Sequence, residues 1–247
     1  MKYEVCAITD IGCKRANNED GFYINNMSCH NTSECFIYEK VDAPLMAFVA
    51  DGVGGTQAGE EATKICVETA LNEKTPYDDD ELIVLIDKMN KEVVELRKSR
   101  DCACTLAGII LGEDSSYLYN VGDSKVYALE QGYLNQLSTD DTVSGLLSKM
   151  SALPEENGNA KEPLMQYIGK NPLLPHVEQI NYLNTYLICT DGLTDMVSLD
   201  EIEKMFSEQQ DLKVLASSLV ANAKEKGGLD NITLIIVRPI KEECSNG

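Results

Sequence analysis

The chain has 247 residues, a formal net charge of -20, 43% hydrophobic residues and 25% charged residues. That is enough chain and enough apolar material for one large globular domain with a sizeable core. So acidic a surface repels nucleic-acid phosphates, and no apolar run approaches the ~20 residues of a membrane-spanning helix.

Tyr3 to Thr9 alternates weakly and predicts a first strand, followed by short strands of a meander at Phe22 to Ile24 and Glu34 to Tyr38. Leu45 to Ala50 reads as a buried strand, broken by Gly54-Gly55. A helix follows with Ala58, Ala62, Ile65 and Thr69 on one face. A second helix carries Leu82, Leu85, Ile86, Met89, Val93 and Leu96 at helical spacing, with Asp78 to Glu81 before it and Arg97, Lys98 and Arg100 after it. That charge order suits the helix dipole. The period then shortens, and Thr105 to Leu111, Ser116 to Val121 and Lys125 to Glu130 predict strands joined by turns. Residues 137–184 are the least regular and read as a flap carried on the core. A strand at Tyr186 to Thr190, helices near Leu199 to Ser207 and Lys213 to Lys226, a Gly227-Gly228 stop and a strand at Asn231 to Val237 complete the chain. Strand clusters separated by helix pairs favour packed sheets flanked by helices over a doubly wound parallel sheet.

The acidic residues fall at the ends of these strands. Asp51-Gly52 follows one apolar run, Asp191-Gly192 another, Asp123 lies in a turn, and Asp230-Asn231 precedes the last strand. One Asp-Gly after a strand is usually only a turn. Four in one chain suggest convergence on an oxygen-rich site for hard cations such as Mg2+ or Mn2+, and hence hydrolytic or phosphoryl chemistry. Gly52 would let its carbonyl approach a metal. The nine cysteines lack zinc-type spacing and are expected to be reduced thiols in a cytoplasmic protein, since Met1 to Cys6 has no signal-peptide core. Only His30 and His176 offer imidazole, which weighs against a histidine-bound zinc.

Five motifs in order resemble those of the metal-dependent Ser/Thr protein phosphatases, the PPM or type 2C family, in their compact bacterial form. They are Gly12-Cys-Lys-Arg15-Ala-Asn-Asn-Glu19-Asp20, Asp51-Gly-Val-Gly-Gly55, Asn120-Val-Gly-Asp123-Ser-Lys125, Cys189-Thr-Asp191-Gly-Leu-Thr-Asp195 and Gly228-Leu-Asp230-Asn-Ile-Thr233. The resemblance runs from about Ile8 to Val237 and implies an α-β-β-α sandwich, of α+β class, with two mostly antiparallel sheets. It implies a single catalytic domain over 1–247, with the flap-like insertion at about 138–184. Asp51 would bridge two Mn2+ or Mg2+ ions, Asp191 and Asp230 would complete one, and the Gly52 carbonyl with Glu19 and Asp20 would serve the other. Asp123 matches the ligand of a third ion. Arg15 is the candidate phosphate clamp. The implied reaction is hydrolysis of phosphoserine and phosphothreonine by a hydroxide activated between two ions. The implied partners are phosphorylated proteins, a Ser/Thr kinase among them, in bacterial signalling, and the implied state is a monomer without membrane insertion.

Some positions depart from the family pattern. Val53 stands where many relatives carry His, Cys102-Ala-Cys104-Thr105 reads as a core-strand variant, and Lys125 replaces a frequent Arg, as a surface or structural contact of little consequence. Asp140-Asp141-Thr142 replaces an Asp-His-Ser/Thr stretch, and His176 reads as a surface histidine. The alternatives are a non-catalytic binding module of the same fold, which the intact aspartates disfavour, and a phosphatase of small phosphoesters. A covalent aspartyl-phosphate route is disfavoured because Asp10 lacks an Asp two residues on.

Overall fold

A computed structural model describes residues 1–53, 58–151 and 162–240. The strands in chain order are β1 (Lys2–Asp10), β2 (Gly21–Ile24), β3 (Met27–His30), β4 (Glu34–Asp42), β5 (Leu45–Ala50), β6 (Gly52–Val53), β7 (Ala103–Cys104), β8 (Leu106–Leu111), β9 (Ser116–Val121), β10 (Lys125–Glu130), β11 (Tyr133–Gln136), β12 (His176–Gln179), β13 (Thr185–Cys189) and β14 (Ile232–Pro239). The helices are α1 (Gly59–Asn72), α2 (Asp79–Leu96), α3 (Val143–Ser151), α4 (Asp191–Thr194), α5 (Leu199–Glu208) and α6 (Leu212–Glu225). One six-stranded sheet runs β11-β10-β13-β14-β1-β4 and the other β12-β9-β8-β5-β2-β3, with β6 and β7 as a separate small pair. Every pairing among the described strands is antiparallel.

The layers follow from the two-residue period of strands. In β5, Leu45, Ala47 and Val49 face the other sheet, and in β1 so do Tyr3, Val5 and Ala7. The alternate residues of β5, Met46, Phe48 and Ala50, pack under α1 and α2 with Cys66, Leu82 and Met89. Cys6 and Ile8 of β1 and Leu234 and Ile236 of β14 pack under α5 and α6 with Phe206, Leu215 and Leu219. Both faces of each sheet are covered, so the central strands read as unbroken apolar runs. This is the expected α-β-β-α sandwich.

Several local expectations change. The proposed meander does not exist, because β2 pairs with β3 and β5 in one sheet while β4 pairs with β1 in the other. The strands β3, β11 and β12 were not expected, and the last two lie inside or beside the irregular stretch. Likewise β9 and β10 belong to different sheets, so Gly122 to Ser124 is a crossing between sheets and not a hairpin turn. In α1 the buried stripe is Ala62, Cys66, Val67, Thr69 and Ala70, with Ile65 only partly covered. For α2 the expected stripe holds, and Asp78 caps it by accepting the Glu81 N–H at 2.8 Å. The expectation of nine reduced thiols is overturned by a Cys29–Cys35 disulfide that ties β3 to β4 across the passage between sheets. Gly54-Gly55 and residues 152–161 of the expected flap lie outside the described residues.

Candidate active site

Strand ends from both sheets meet at one cleft of about 310 Å³. Arg15, Glu19, Asp51, Gly52, Asp123 and Asp230 line it, together with Asn17, Val53, Asn231, Glu162, Pro163 and Leu164. Asp20 and Asp191 are buried. All eight residues singled out from the sequence are therefore placed, six on the cleft wall and two in the interior. Among the described residues no three His, Cys, Asp or Glu side chains already stand in ligating geometry.

Each acidic group has a local reason for its position. Asp51 ends β5, and its peptide is gripped by Thr105: Thr105 N–H donates to the Asp51 carbonyl at 2.8 Å, and Asp51 N–H donates to Thr105 Oγ1 at 3.1 Å. Gly52 sits so close to its neighbours that a Cβ there would lie 2.6 Å from the Gly59 carbonyl carbon and 2.8 Å from Glu19 Cβ. Gly59 is as tight, since its Cβ would meet Glu19 Oε2 at 2.3 Å. The two glycines admit the acidic loop between β6 and α1. Thr63 Oγ1 holds the Glu19 carbonyl at 2.8 Å.

Asn231 is the fastener that sequence reasoning missed. Its Oδ1 accepts the Glu19 N–H at 2.9 Å, and its Nδ2 donates to the carbonyls of Ile11 and Asn17, both at 3.0 Å. It thereby ties the last motif to the first. Asn18 ties the first motif to β1 and to the turn before β4, donating to Thr9 Oγ1 at 2.8 Å and to the Thr32 carbonyl at 3.0 Å. The only sequence signal for either is an Asn beside a site carboxylate.

Two positions read as peripheral, Lys125 and His176, are not. Lys125 is largely covered and forms an ion pair with the buried Asp140 while donating to the Asp123 carbonyl at 3.1 Å. Burial opposes its charge, but Asp140 and Asp123 outweigh it and raise its pKa. His176 is largely covered, with Nε2 2.9 Å from Asp141 Oδ1. Arg15 is half exposed and turned onto Asp230, Nη2 to Oδ2, at 2.6 Å. Cys104 is a core residue as expected, its thiol 3.5 Å from that of Cys66.

The electrostatics fit a divalent cation. Asp20 is pushed up to about 7, first by burial and then by Asp191 and Asp230, although hydrogen bonds from Thr233 and Thr190 oppose the shift. The Thr190 hydroxyl donates to Asp20 Oδ2 at 2.8 Å. Burial also raises Glu19, aided by Glu60 and Asp230 against the Asn17 hydrogen bond and Arg15. Acidic groups crowded until one holds its proton near neutrality are relieved by positive charge between them. The donors are carboxylates and a glycine carbonyl, an all-oxygen set suited to Mg2+ or Mn2+.

Comparisons with known proteins bear on the family and the fold. The family model for protein phosphatase 2C matches residues 29–224. The chain is 30% identical to the serine/threonine phosphatase stp of Listeria monocytogenes over 226 residues, which is 84% of this chain and 90% of that relative. It superposes on the serine/threonine phosphatase of S. agalactiae with a TM-score of 0.78 at 26% identity, covering 96% of this chain and 100% of that one. The catalytic domain of serine threonine protein phosphatase PstP, solved with 2 manganese ions, shares the fold at a TM-score of 0.77 and 23% identity, over 98% of this chain and 100% of that one. No helix among the described residues is long and apolar enough to cross a membrane. The chain belongs to the protein phosphatase 2C family, the metal-dependent Ser/Thr protein phosphatases.

Proposed function

We propose that this cleft hydrolyses phosphoserine and phosphothreonine in proteins, with Asp51, Asp191, Asp230, Glu19, Asp20 and the Gly52 carbonyl holding two Mn2+ or Mg2+ ions and Asp123 a third. The observation that supports it most is the meeting of six of the eight residues chosen from the sequence on one cleft wall. When bound, two such ions lower the pKa of a shared water and stabilise charge on phosphorus.

The chain's own residues do the rest. Asp51 lies on the cleft wall with Glu19, Asp123 and Asp230, where it would help to hold both ions. Asp230 is held by Arg15 at 2.6 Å, so binding of phosphate by the guanidinium would require it to leave Asp230. Turned from Asp230, the Arg15 fork could bind two phosphate oxygens at once. Val53 replaces an imidazole on the wall, so the departing alkoxide takes its proton from water. Glu162, Pro163 and Leu164 bring the flap to the cleft rim, where a peptide flanking the phosphoresidue would lie. The substrates are products of Ser/Thr kinases, and in this reading a kinase is itself among them.

The test is phosphate release from a phosphothreonine peptide with Mn2+, with Mg2+ and with EDTA, beside a phosphotyrosine peptide and a small phosphoester. Metal-dependent release with preference for phosphothreonine is expected. Equal or faster release from the small phosphoester would favour the small-molecule alternative.

A further inference from the structure

The turn that carries Asp123 is fastened from several sides. Gly122 N–H donates to Asp141 Oδ2 at 2.8 Å, and Asp141 N–H donates back to the Gly122 carbonyl at 2.9 Å. Gly122 has φ +100°, and a Cβ there would strike Thr105 Cγ2 at 2.7 Å. Ser124 Oγ lies 2.6 Å from Thr105 Oγ1, on the same threonine that grips the Asp51 peptide. Asp51 and Asp123 thus hang on one hydrogen-bonded unit.

Asp141 extends that unit to the flap. Its carbonyl accepts the Met165 N–H at 2.7 Å, one residue beyond the Glu162 to Leu164 segment that lines the cleft. Its Oδ1 meets His176 Nε2 at 2.9 Å. His176 is held on β12 opposite Asn120, whose side chain bonds Thr139 at 2.7 Å and 3.3 Å. Asp141 is buried, and its N–H, its carbonyl and both carboxylate oxygens are engaged. A carboxylate this well bonded in the interior fixes geometry, since breaking any one bond leaves a buried polar group unmet.

We infer that Asp141, seated by His176, is a positioning residue: it sets where the Asp123 carboxylate stands relative to Asp51 and links that setting to the cleft-lining flap segment. The inference rests on the reading of Asp123 as a ligand of a divalent cation. It works through the backbone, because Asp141 bonds the Gly122 N–H and carbonyl, one residue before Asp123.

The experiment is equilibrium binding of Mn2+ to the metal-stripped full chain, by calorimetry, for wild type, Asp123→Ala, Asp141→Ala and the double variant. Asp123→Ala removes or weakens one class of site. Asp141→Ala weakens that same class about ten-fold, the scale of losing a partner that orients a ligand. In the Asp123→Ala background the Asp141 change has no effect beyond about two-fold. Asp141→Asn, able to accept from Gly122 and donate to His176, recovers most of the binding. Wild-type binding in Asp141→Ala overturns the inference alone, as does an equal loss in both backgrounds or a failure of Asn to rescue. Wild-type binding in Asp123→Ala overturns the cation reading of Asp123 and the inference with it. If circular dichroism finds Asp141→Ala unfolded, His176→Ala takes its place in the same cycle, with His176→Gln as the rescue. A ten-fold loss confined to the Asp123 background then supports the inference, and wild-type binding overturns it.

Discussion

Asp51→Asn lowers turnover on a phosphothreonine peptide by on the order of a thousand-fold or more, with the fold intact. The backbone of residue 51 is held by Thr105 through its own N–H and carbonyl, so the amide side chain disturbs neither bond. What disappears is one negative charge on the wall that faces Glu19, Asp123 and Asp230. Without it, positive charge in the cleft is held less well, and the reaction loses the groups that organise it. The metal-free variant is at least as stable as metal-free wild type, because it removes one of several mutually repelling carboxylates. Steady-state kinetics across a Mn2+ titration, paired with thermal unfolding in EDTA, check both halves. Activity within ten-fold of wild type at saturating Mn2+ would remove Asp51 from the mechanism.

Gly192→Ala is the second large effect. Gly192 follows Asp191 in α4, and a Cβ there would lie 1.9 Å from the Asn231 carbonyl oxygen and 2.9 Å from its carbon. Neither side can yield freely. Asn231 is bonded to Glu19, Ile11 and Asn17, and the Asp191 carbonyl accepts the Asp195 N–H at 2.8 Å. The added methyl therefore separates the Asp191 and Asp230 loops and drags Glu19 with them. Overpacking of this severity costs about 3 kcal/mol or more. For a chain of this size that lowers Tm by roughly 6 to 12 °C. Differential scanning calorimetry reads it, and phosphatase activity falls at temperatures where the variant is still folded. An unchanged Tm would mean that the two loops are not packed as described.

Much of the scaffold was legible because the physics is local. Leu45 to Ala50 could be only a buried strand, and the spacing from Leu82 to Leu96 could be only a helix with one covered face. The edge strands β3, β11 and β12 were not legible, since each mixes polar and half-covered residues and owes its existence to a neighbour. Alternation also does not reveal which sheet a strand joins, and so β2 and β4 looked like one meander. At the site, Asp51 and Asp191 were legible because each ends an apolar run and is followed by glycine, a turn with an oxygen donor beside it. Asn231, Asn18 and Thr105 were not, because Asn and Thr near a turn serve many roles and their partners lie far along the chain. The same holds for Lys125 and His176, whose ion pairs with Asp140 and Asp141 reach across the chain. The pairing of Cys29 with Cys35 depends on a passage between sheets that no spacing rule encodes.

The most direct measurement is anomalous X-ray scattering at the manganese edge from crystals soaked in Mn2+. The account predicts two peaks flanking the Asp51 carboxylate, one beside Asp191 and Asp230 and the other beside the Gly52 carbonyl with Glu19 and Asp20, and Arg15 turned away from Asp230. Peaks elsewhere, or none in a crystal form that still releases phosphate in Mn2+, would contradict it.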